Sequence, residues 1–310
     1  MKLSVIIPSY QSGAYLERCL SPIIEQSQGT GTEVVVVDSS ETVLPETFKN
    51  KFPLVKFIQS PKRLFAGAAR NSGVQNSSGN VLYFIDSDCM WNKNWYSNAI
   101  QFIETYSDWI AFNGPVFYED PNVHNDALAL HLLEFHELLS SKPYSPRFLH
   151  SGNLIIRRDT FEKVGGFRED IPMCTDFSFF ARMDQTLLGR VYYRPELSVT
   201  HMAHLVEPTK VYKKIEKMGF WRGKIDRQLP TRLQLSAKPE FPVLKCFLAP
   251  VFFLEIFRRS VSLNSFYLSH YFMSASRLWH FCQIWAKGFR SGFDEGMENL
   301  DSTERRMTGG

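Results

Sequence analysis

Residues Ala68 to Asp88 read AARNSGVQNSSGNVLYFIDSD. The first part continues a segment from Ala66 to Gln75 that reads as a helix. Ala68, Ala69 and Val74 are small enough there to let it approach a sheet closely. Asn80 to Ile85 is apolar and β-prone after a short polar turn, so it is predicted as a buried strand. The strand stops at Asp86-Ser87-Asp88. A helix feeding such a strand is part of a βαβ rhythm.

The same rhythm extends upstream. Leu3 to Ile7 is predicted as a buried parallel strand, ended by Pro8-Ser9-Tyr10. Ala14 to Gln26 reads as a helix with Leu16, Leu20, Ile23 and Ile24 on its apolar side, despite Pro22. Glu33 to Val37 and Leu54 to Ile58 are further strands, the former ending in Asp38-Ser39-Ser40. The fold class is α/β, with a mostly parallel sheet flanked by helices on both faces. Ligands of such sheets bind at the carboxyl ends of the strands. Pro8 to Tyr10, Asp38 to Ser40 and Asp86 to Asp88 all fall there. Downstream the rhythm weakens. Trp109 to Phe117 reads as a strand, Asp126 to Leu139 as a helix, and Phe148 to Arg157 as a strand around Ser151-Gly152-Asn153. Thr160 to Val164 reads as a short helical turn. Thr175 to Leu188 is helical and Arg190 to Tyr193 extended. No internal repeat is visible.

In an extended segment, residues two apart face one side about 6.6 Å apart. Asp86 and Asp88 could therefore both address one divalent cation carrying phosphates. Hard oxygen ligands suit Mg2+ or Mn2+. Both could instead simply cap the next turn, because Asx turns after strands are common.

The chain has 310 residues and a formal net charge of +3, with 44% hydrophobic and 22% charged residues. This composition excludes global disorder and a fibrous repeat. Five cysteines stand far apart at positions 19, 89, 174, 246 and 282. Their odd number and spacing argue against a structural zinc site or a disulfide framework, and a reducing compartment is expected. MKLSVIIPSY at the start is too short for a secretory signal. No GxGxxG follows the first strand, and there is no GxxxxGK[ST] and no GxSxG. Dinucleotide enzymes, P-loop NTPases and α/β-hydrolases are disfavoured.

These segments together resemble the GT-A-fold glycosyltransferases of family 2, inverting enzymes that use nucleotide-sugars. The matching stretches are SVIIPSY (Ser4 to Tyr10), VVVVDSS (Val34 to Ser40), Ala68 to Asp88 as quoted, SGNLIIRRDTFEKVGGF (Ser151 to Phe167) and CTDFSFFAR (Cys174 to Arg182). They cover about residues 3 to 205. Each is loose, but their order and spacing are specific. The resemblance implies a GT-A fold with a C-terminal helical extension. It also implies metal-dependent transfer from a nucleotide-sugar, chiefly a UDP-sugar, to a hydroxyl of a glycan or lipid-linked acceptor.

The resemblance further implies residue roles. Pro8 and Tyr10 would line the base pocket, and Asp38 would bond the base. Ser39 replaces a second acidic residue often found next to that Asp. Arg70 and Asn71 would lie on the helix nearing the nucleotide, with Gly73 allowing close packing. Asp86 would sit by the ribose and the metal, and Asp88 would bind the metal with His201. His204 is a second, weaker candidate. Ser151, Gly152 and Asn153 would form the floor beneath the transferred sugar. Asp176 would be the general base, six residues before Arg182, with Thr175 in place of the usual Glu. A second register puts Cys174 at the base position, where a neutral thiol would serve poorly. Asp176 could also only cap the helix at Phe177.

The catalytic domain is expected over 1–207, its nucleotide half about 1–115 and its acceptor half about 116–207. The stretch 208–310 is a basic, aromatic, mainly helical extension. From Pro208 to Arg259 twelve Lys/Arg stand against four Asp/Glu, a local net of +8. Phe241 to Phe257 is the longest apolar run, marginal for a membrane span. Basic groups beside aromatic ones suit an anionic membrane surface. Packing on the catalytic domain or a homodimer interface is the other reading. Arg222 could reach phosphates or belong to a solvated charge run. Single-strand nucleic acid is a disfavoured partner, given the low overall charge. A cytoplasmic protein, peripheral at the inner face of the cell membrane, is expected. A catalytically degenerate nucleotide-sugar-binding or scaffold protein of the same fold is the alternative.

Overall fold

A computed structural model describes residues 1–119, 150–186, 189–202, 208–228, 279–280 and 282–295. The chain divides into two compact units. The first holds two sheets, and the second holds the helices over Pro208–Gln228 and 282–295.

The main sheet of the first unit has seven strands in the order β3-β2-β1-β4-β8-β6-β9. β1 (Leu3–Ser9), β2 (Glu33–Asp38), β3 (Val55–Gln59) and β4 (Val81–Ile85) are mutually parallel where they pair. Parallel neighbours require crossovers. Helices α1 (Gly13–Ser27), α2 (Glu46–Lys49) and α3 (Ala66–Gln75) supply them. From β1 the chain builds outward to β2 and β3, then returns to lay β4 on the other side of β1. That reversal makes the carboxyl ends of β1 and β4 a topological switch point, where a crevice opens.

Alternation along the strands separates two cores. Val5 and Ile7, Val34 and Val36, and Tyr83 and Ile85 face Leu16, Cys19, Leu20 and Ile23 of α1 and Trp95, Ala99 and Phe102 of α4 (Trp95–Thr105). Ile6, Val35, Val37, Leu82 and Phe84 face Ala69 and Val74 of α3. The same core takes Phe161 of α5 (Arg158–Val164) and Phe179, Phe180 and Met183 of α6 (Thr175–Thr186). Each large aliphatic buried this way stabilises the fold by about 1.5–3 kcal/mol. Gly73 lets α3 lie on β1, because a Cβ there would meet Ile6 Cγ2 at 2.3 Å. Helix α1 runs through Pro22, as expected. Its missing backbone bond is offset by the buried side chains on either side.

The far half of the sheet departs from parallel order. β8 (Asn153–Arg157) runs antiparallel to both β4 and β6 (Trp109–Asn113), and β9 (Arg190–Tyr193) is parallel to β6. The strand expected over Trp109 to Phe117 is two strands, β6 and β7 (Val116–Tyr118). Gly114 and Pro115 break it. A Cβ at Gly114 would lie 2.1 Å from the Leu197 carbonyl, and Pro115 offers no N–H while its carbonyl accepts from Val199 at 3.0 Å. The strand expected from Phe148 begins only at Asn153, after a turn at Ser151-Gly152. β7 joins β10 (Val199–His201) and β5 (Cys89–Trp91) in a three-stranded sheet. The helix expected over Asp126 to Leu139, the apolar run Phe241 to Phe257 and His204 lie outside the described residues.

In the second unit, α7 (Pro208–Gln228) packs against a helix over 282–295, here α8. Among the described residues, no helix is long and apolar enough to cross a membrane.

Candidate active site

The end of β2 carries Asp38, which is 1% exposed. Its Oδ1 accepts from Ser9 Oγ at 2.7 Å and from Ser40 Oγ at 2.8 Å. Its Oδ2 is buried and has no hydrogen-bond partner among the described residues. A buried carboxylate oxygen without a donor is costly, and it could accept from a ligand N–H. Pro8 and Tyr10 close β1 beside it, since Ser9 pairs with Asp38 in register. The Tyr10 ring lies under the Arg63 guanidinium at 4.3 Å. Ser9 Oγ also lies 3.2 Å from Ser12 Oγ, which is 2.7 Å from Ser87 Oγ. Hydroxyls thus connect the end of β2 to the Asp86-Ser87-Asp88 triplet.

At the end of β4, Asp86 Oδ1 accepts from Arg70 Nη2 at 2.5 Å. Burial alone would raise the Asp86 carboxyl. Arg70 above all, then His150 and His201, outweighs it and holds the group below its ordinary value. Arg70 therefore reaches the triplet from α3. Asn71, next to it, turns elsewhere. Its Nδ2 donates to the Phe167 carbonyl and to Glu169 Oε1, both at 2.8 Å, and its Oδ1 accepts from Phe167 N at 2.9 Å. Asn71 ties α3 to the turn after α5.

Asp88 lies on the other side of the triplet. Its Oδ2 is 3.4 Å from His201 Nε2 on β10. The pairing of His201 with Cys89 across β10 and β5 produces this meeting. Asp88, Cys89 and His201 each offer a ligand atom within 4.8 Å of the others. The Asp88 carboxylate oxygen suits Mn2+ or Mg2+, and the His201 imidazole nitrogen favours Mn2+ over the harder Mg2+. Cys89 fits less well, because a thiol is a soft donor for a hard cation; burial pushes it well above its ordinary value. The donors present thus fit a hard divalent cation held by Asp88 and His201.

The turn before β8 brings Ser151, Gly152 and Asn153 to the same end, Asn153 pairing with Ile85. Ser151 and Asn153 are buried. Asn153 Oδ1 accepts from Tyr83 Oη at 3.1 Å, and its Nδ2 donates to the Leu197 carbonyl at 2.8 Å. A Cβ on Gly152 would lie 2.5 Å from His150 Cε1 and 2.9 Å from Asp86 Oδ2. The backbone thus passes between those groups with no room for a side chain. Gly152 N donates to His150 Nδ1 at 3.0 Å.

Asp176 opens α6, half-buried, with Oδ1 accepting from Phe177 N at 2.8 Å. Cys174 has φ +57°. Arg182 is tied to the Val164 carbonyl at 2.9 Å and the Gly166 carbonyl at 2.6 Å, so it braces a turn. Four residues at this end were not singled out from the sequence: Ser9, Ser12, Arg63 and His150; Cys89 was noted only as a departure from the family pattern. Ser9 sat within a quoted motif. His150 precedes Ser151-Gly152 directly, and that adjacency was the available signal.

The family model described as Glycosyl transferase family 2 matches residues 4–165. Glycosyltransferase AglE of Haloferax volcanii is 28% identical over 172 residues, 53% of this chain and 55% of that protein. A poly(ribitol-phosphate) beta-N-acetylglucosaminyltransferase, TarS of Staphylococcus aureus, is 32% identical over 111 residues, covering 34% of this chain and 19% of TarS. The match thus spans about half the length of AglE and a smaller part of TarS. Among solved structures, mannosyltransferase PcManGT from Pyrobaculum calidifontis, in complex with GDP-Man and Mn2+, has a TM-score of 0.60 at 16% identity. That match covers 95% of this chain and 86% of PcManGT. TarS 1-349 in complex with UDP-GlcNAc gives 0.51 at 19% identity, covering 96% of this chain and 92% of that structure. These likenesses establish the fold.

Proposed function

The chain belongs to glycosyl transferase family 2, with a GT-A fold, and from that premise we propose that it moves a sugar from a nucleoside-diphosphate donor to a hydroxyl of a glycan or lipid-linked acceptor, with inversion. We read 1–207 as the catalytic part and 208–310 as an extension. One observation carries the donor reading: the buried, unpartnered Oδ2 of Asp38. It accepts the imino N–H of a base, which uracil, guanine and thymine present and cytosine does not. Uracil is the base expected here, with Pro8 and Tyr10 beside it. The chain's similarity to proteins solved with GDP-Man and UDP-GlcNAc supports a diphosphate-linked donor.

Asp88 and His201 would hold a divalent cation, which when bound would offset charge on the leaving diphosphate. Asp86 and Arg70 position the ribose side of the donor. Ser151, Gly152 and Asn153 lie under the sugar, where the bare Gly152 backbone allows close approach. Asp176 takes the proton of the acceptor hydroxyl as that oxygen attacks the anomeric carbon opposite the diphosphate. Its Oδ1 is anchored by the Phe177 N–H. Among the described residues its Oδ2 has no hydrogen bond and serves as the base.

Calorimetric titration with UDP-, GDP- and dTDP-sugars, with Mn2+ and with chelator, tests this reading. One donor class should bind, and Asp38→Asn should weaken it. With Ser9 and Ser40 claiming the amide oxygen, the new NH2 would face the base N–H, donor against donor. Absence of binding by folded protein to every donor would overturn the proposal.

A further inference from the structure

In the second unit, α7 and α8 approach each other through glycines. A Cβ on Gly219 would lie 2.2 Å from the Trp285 carbonyl, and one on Gly223 2.0 Å from the Phe289 carbonyl. From the other helix, Gly288 faces Glu216 O at 2.1 Å and Gly292 faces Phe220 O at 1.8 Å. The matched pairs rise together along both helices, so the helices run parallel. Backbone meets backbone at four places. This fixes the rotation of α7 about its own axis.

The fixed rotation decides which residues face outward. Ile215, Gly219, Gly223 and Asp226 are buried on the seam side, and Ile225 is buried on the flank next to Trp221. At about 100° per residue, Lys213, Lys217, Trp221 and Lys224 fall on the side away from that seam, with Lys214 at its margin. Lys213, Lys214 and Lys217 are exposed and form no ion pair among the described residues. Both acidic residues of α7 lie off this stripe. Glu216 pairs with Lys287 at 2.8 Å, and Asp226 is fully buried. Lys224 pairs with Glu295 and lies 5.3 Å from the Trp221 ring centroid. Among the described residues the stripe is thus net cationic, with Glu295 answering Lys224 and no carboxylate answering Lys213, Lys214 or Lys217, and it carries one half-buried indole at its centre.

We propose that this stripe of α7 is a docking surface for an anionic lipid bilayer. Lysines attract the negative headgroup layer, and a Trp among them suits the interface where ring and headgroup meet. Charge complementarity commits the surface to an anionic partner. The single indole, in a chain whose next apolar run is Phe241 to Phe257, favours lipid over single-stranded nucleic acid. Nucleic-acid binding normally uses several stacked aromatics along a groove. The inference stands apart from donor binding, which is assigned to the other unit.

Co-sedimentation of the full chain with vesicles tests it. One set is phosphatidylcholine alone, and the other adds phosphatidylglycerol. Binding should require phosphatidylglycerol and weaken with salt. The triple variant Lys213→Glu, Lys214→Glu, Lys217→Glu should lose affinity on the order of a hundredfold. Trp221→Phe should lose part of the fluorescence quenching caused by brominated lipid. Far-UV dichroism and donor titration establish that each variant is folded. If the triple variant misfolds, the same loss should follow from each single Lys→Gln change in smaller steps. Equal binding to phosphatidylcholine alone, no vesicle binding, or unchanged affinity in the folded triple variant would overturn the proposal. So would tighter, stripe-dependent binding to a single-stranded oligonucleotide.

Discussion

Arg70 Nη2 meets Asp86 Oδ1 at 2.5 Å, with only 4% of the arginine side chain exposed. A protein cation therefore neutralises the first aspartate of the triplet, while the second faces His201. The two carboxylates, equivalent in sequence, divide into different tasks. Removing Arg70 would leave Asp86 without its main partner. Asp86 keeps 33% of its side chain exposed, so water recovers part of the loss. Arg70→Met should destabilise the protein by about 2–4 kcal/mol, below the cost for a fully buried pair. Denaturant unfolding measures this, and unchanged stability would show the pair to be dispensable.

The other aspartate yields a test of the metal ligands. Asp88→Ala and His201→Ala should each weaken Mn2+ binding at least tenfold, by about 1.4 kcal/mol or more. Calorimetry with and without nucleotide reads this. Cys89→Ser should leave Mn2+ affinity nearly intact, because a thiol sulfur is a soft donor for this hard cation. A loss in the serine variant as large as that in Asp88→Ala would make the sulfur a ligand.

Ser9 and Ser40 share one oxygen of Asp38. Bonds to a charged acceptor are worth about 1.5–3 kcal/mol. Ser9→Ala should therefore weaken donor binding by about tenfold or more while leaving Mn2+ affinity in place. A variant with wild-type donor affinity would show that Ser40 alone orients the carboxylate.

Gly152 lies between His150 and Asp86. Its added methyl would press on two side chains that can turn aside, so Gly152→Ala should fold. The displaced groups are Asp86, proposed to face the ribose, and His150, which precedes the proposed sugar floor. Transfer should fall by more than tenfold, about 1.4 kcal/mol in the barrier, with a melting temperature close to wild type. Full activity would place the sugar elsewhere.

The parallel half of the sheet was legible because its strands are buried on both faces and read as continuous apolar runs. Ala66–Gln75 was read with the observed bounds. The strands β5 and β10 were not, since three residues each give no period. Yet it is β10 that carries His201 to Asp88, and only pairing across 112 positions of sequence shows it. Asn71 was placed near the nucleotide only through the resemblance, and its side chain bonds the Phe167 backbone and Glu169. Successive residues on a helix point about 100° apart, and the turn at Phe167 claims the asparagine. Asp38 was legible as a base contact only through the resemblance. Its unpartnered oxygen is a fact of packing that no spacing reveals. At Asp176 the structure adds that one carboxylate oxygen accepts from the Phe177 N–H.

The glycine seam of the second unit makes a last prediction. A methyl at Gly292 would sit 1.8 Å from the Phe220 carbonyl. Backbone cannot swing away as a side chain can, so the two helices must separate. Close packing of Phe289 and Phe293, both 1% exposed, would go with it. Gly292→Ala should cost about 2–3 kcal/mol or more, as overpacking does, although alanine alone favours helix by about 1 kcal/mol. Ser291→Ala, at an exposed position of the same helix, should change stability by less than about 0.5 kcal/mol. Equal stability of the two variants would mean that the helices do not meet through these glycines. The outward rotation of Lys213, Lys214 and Lys217 would then lose its structural basis.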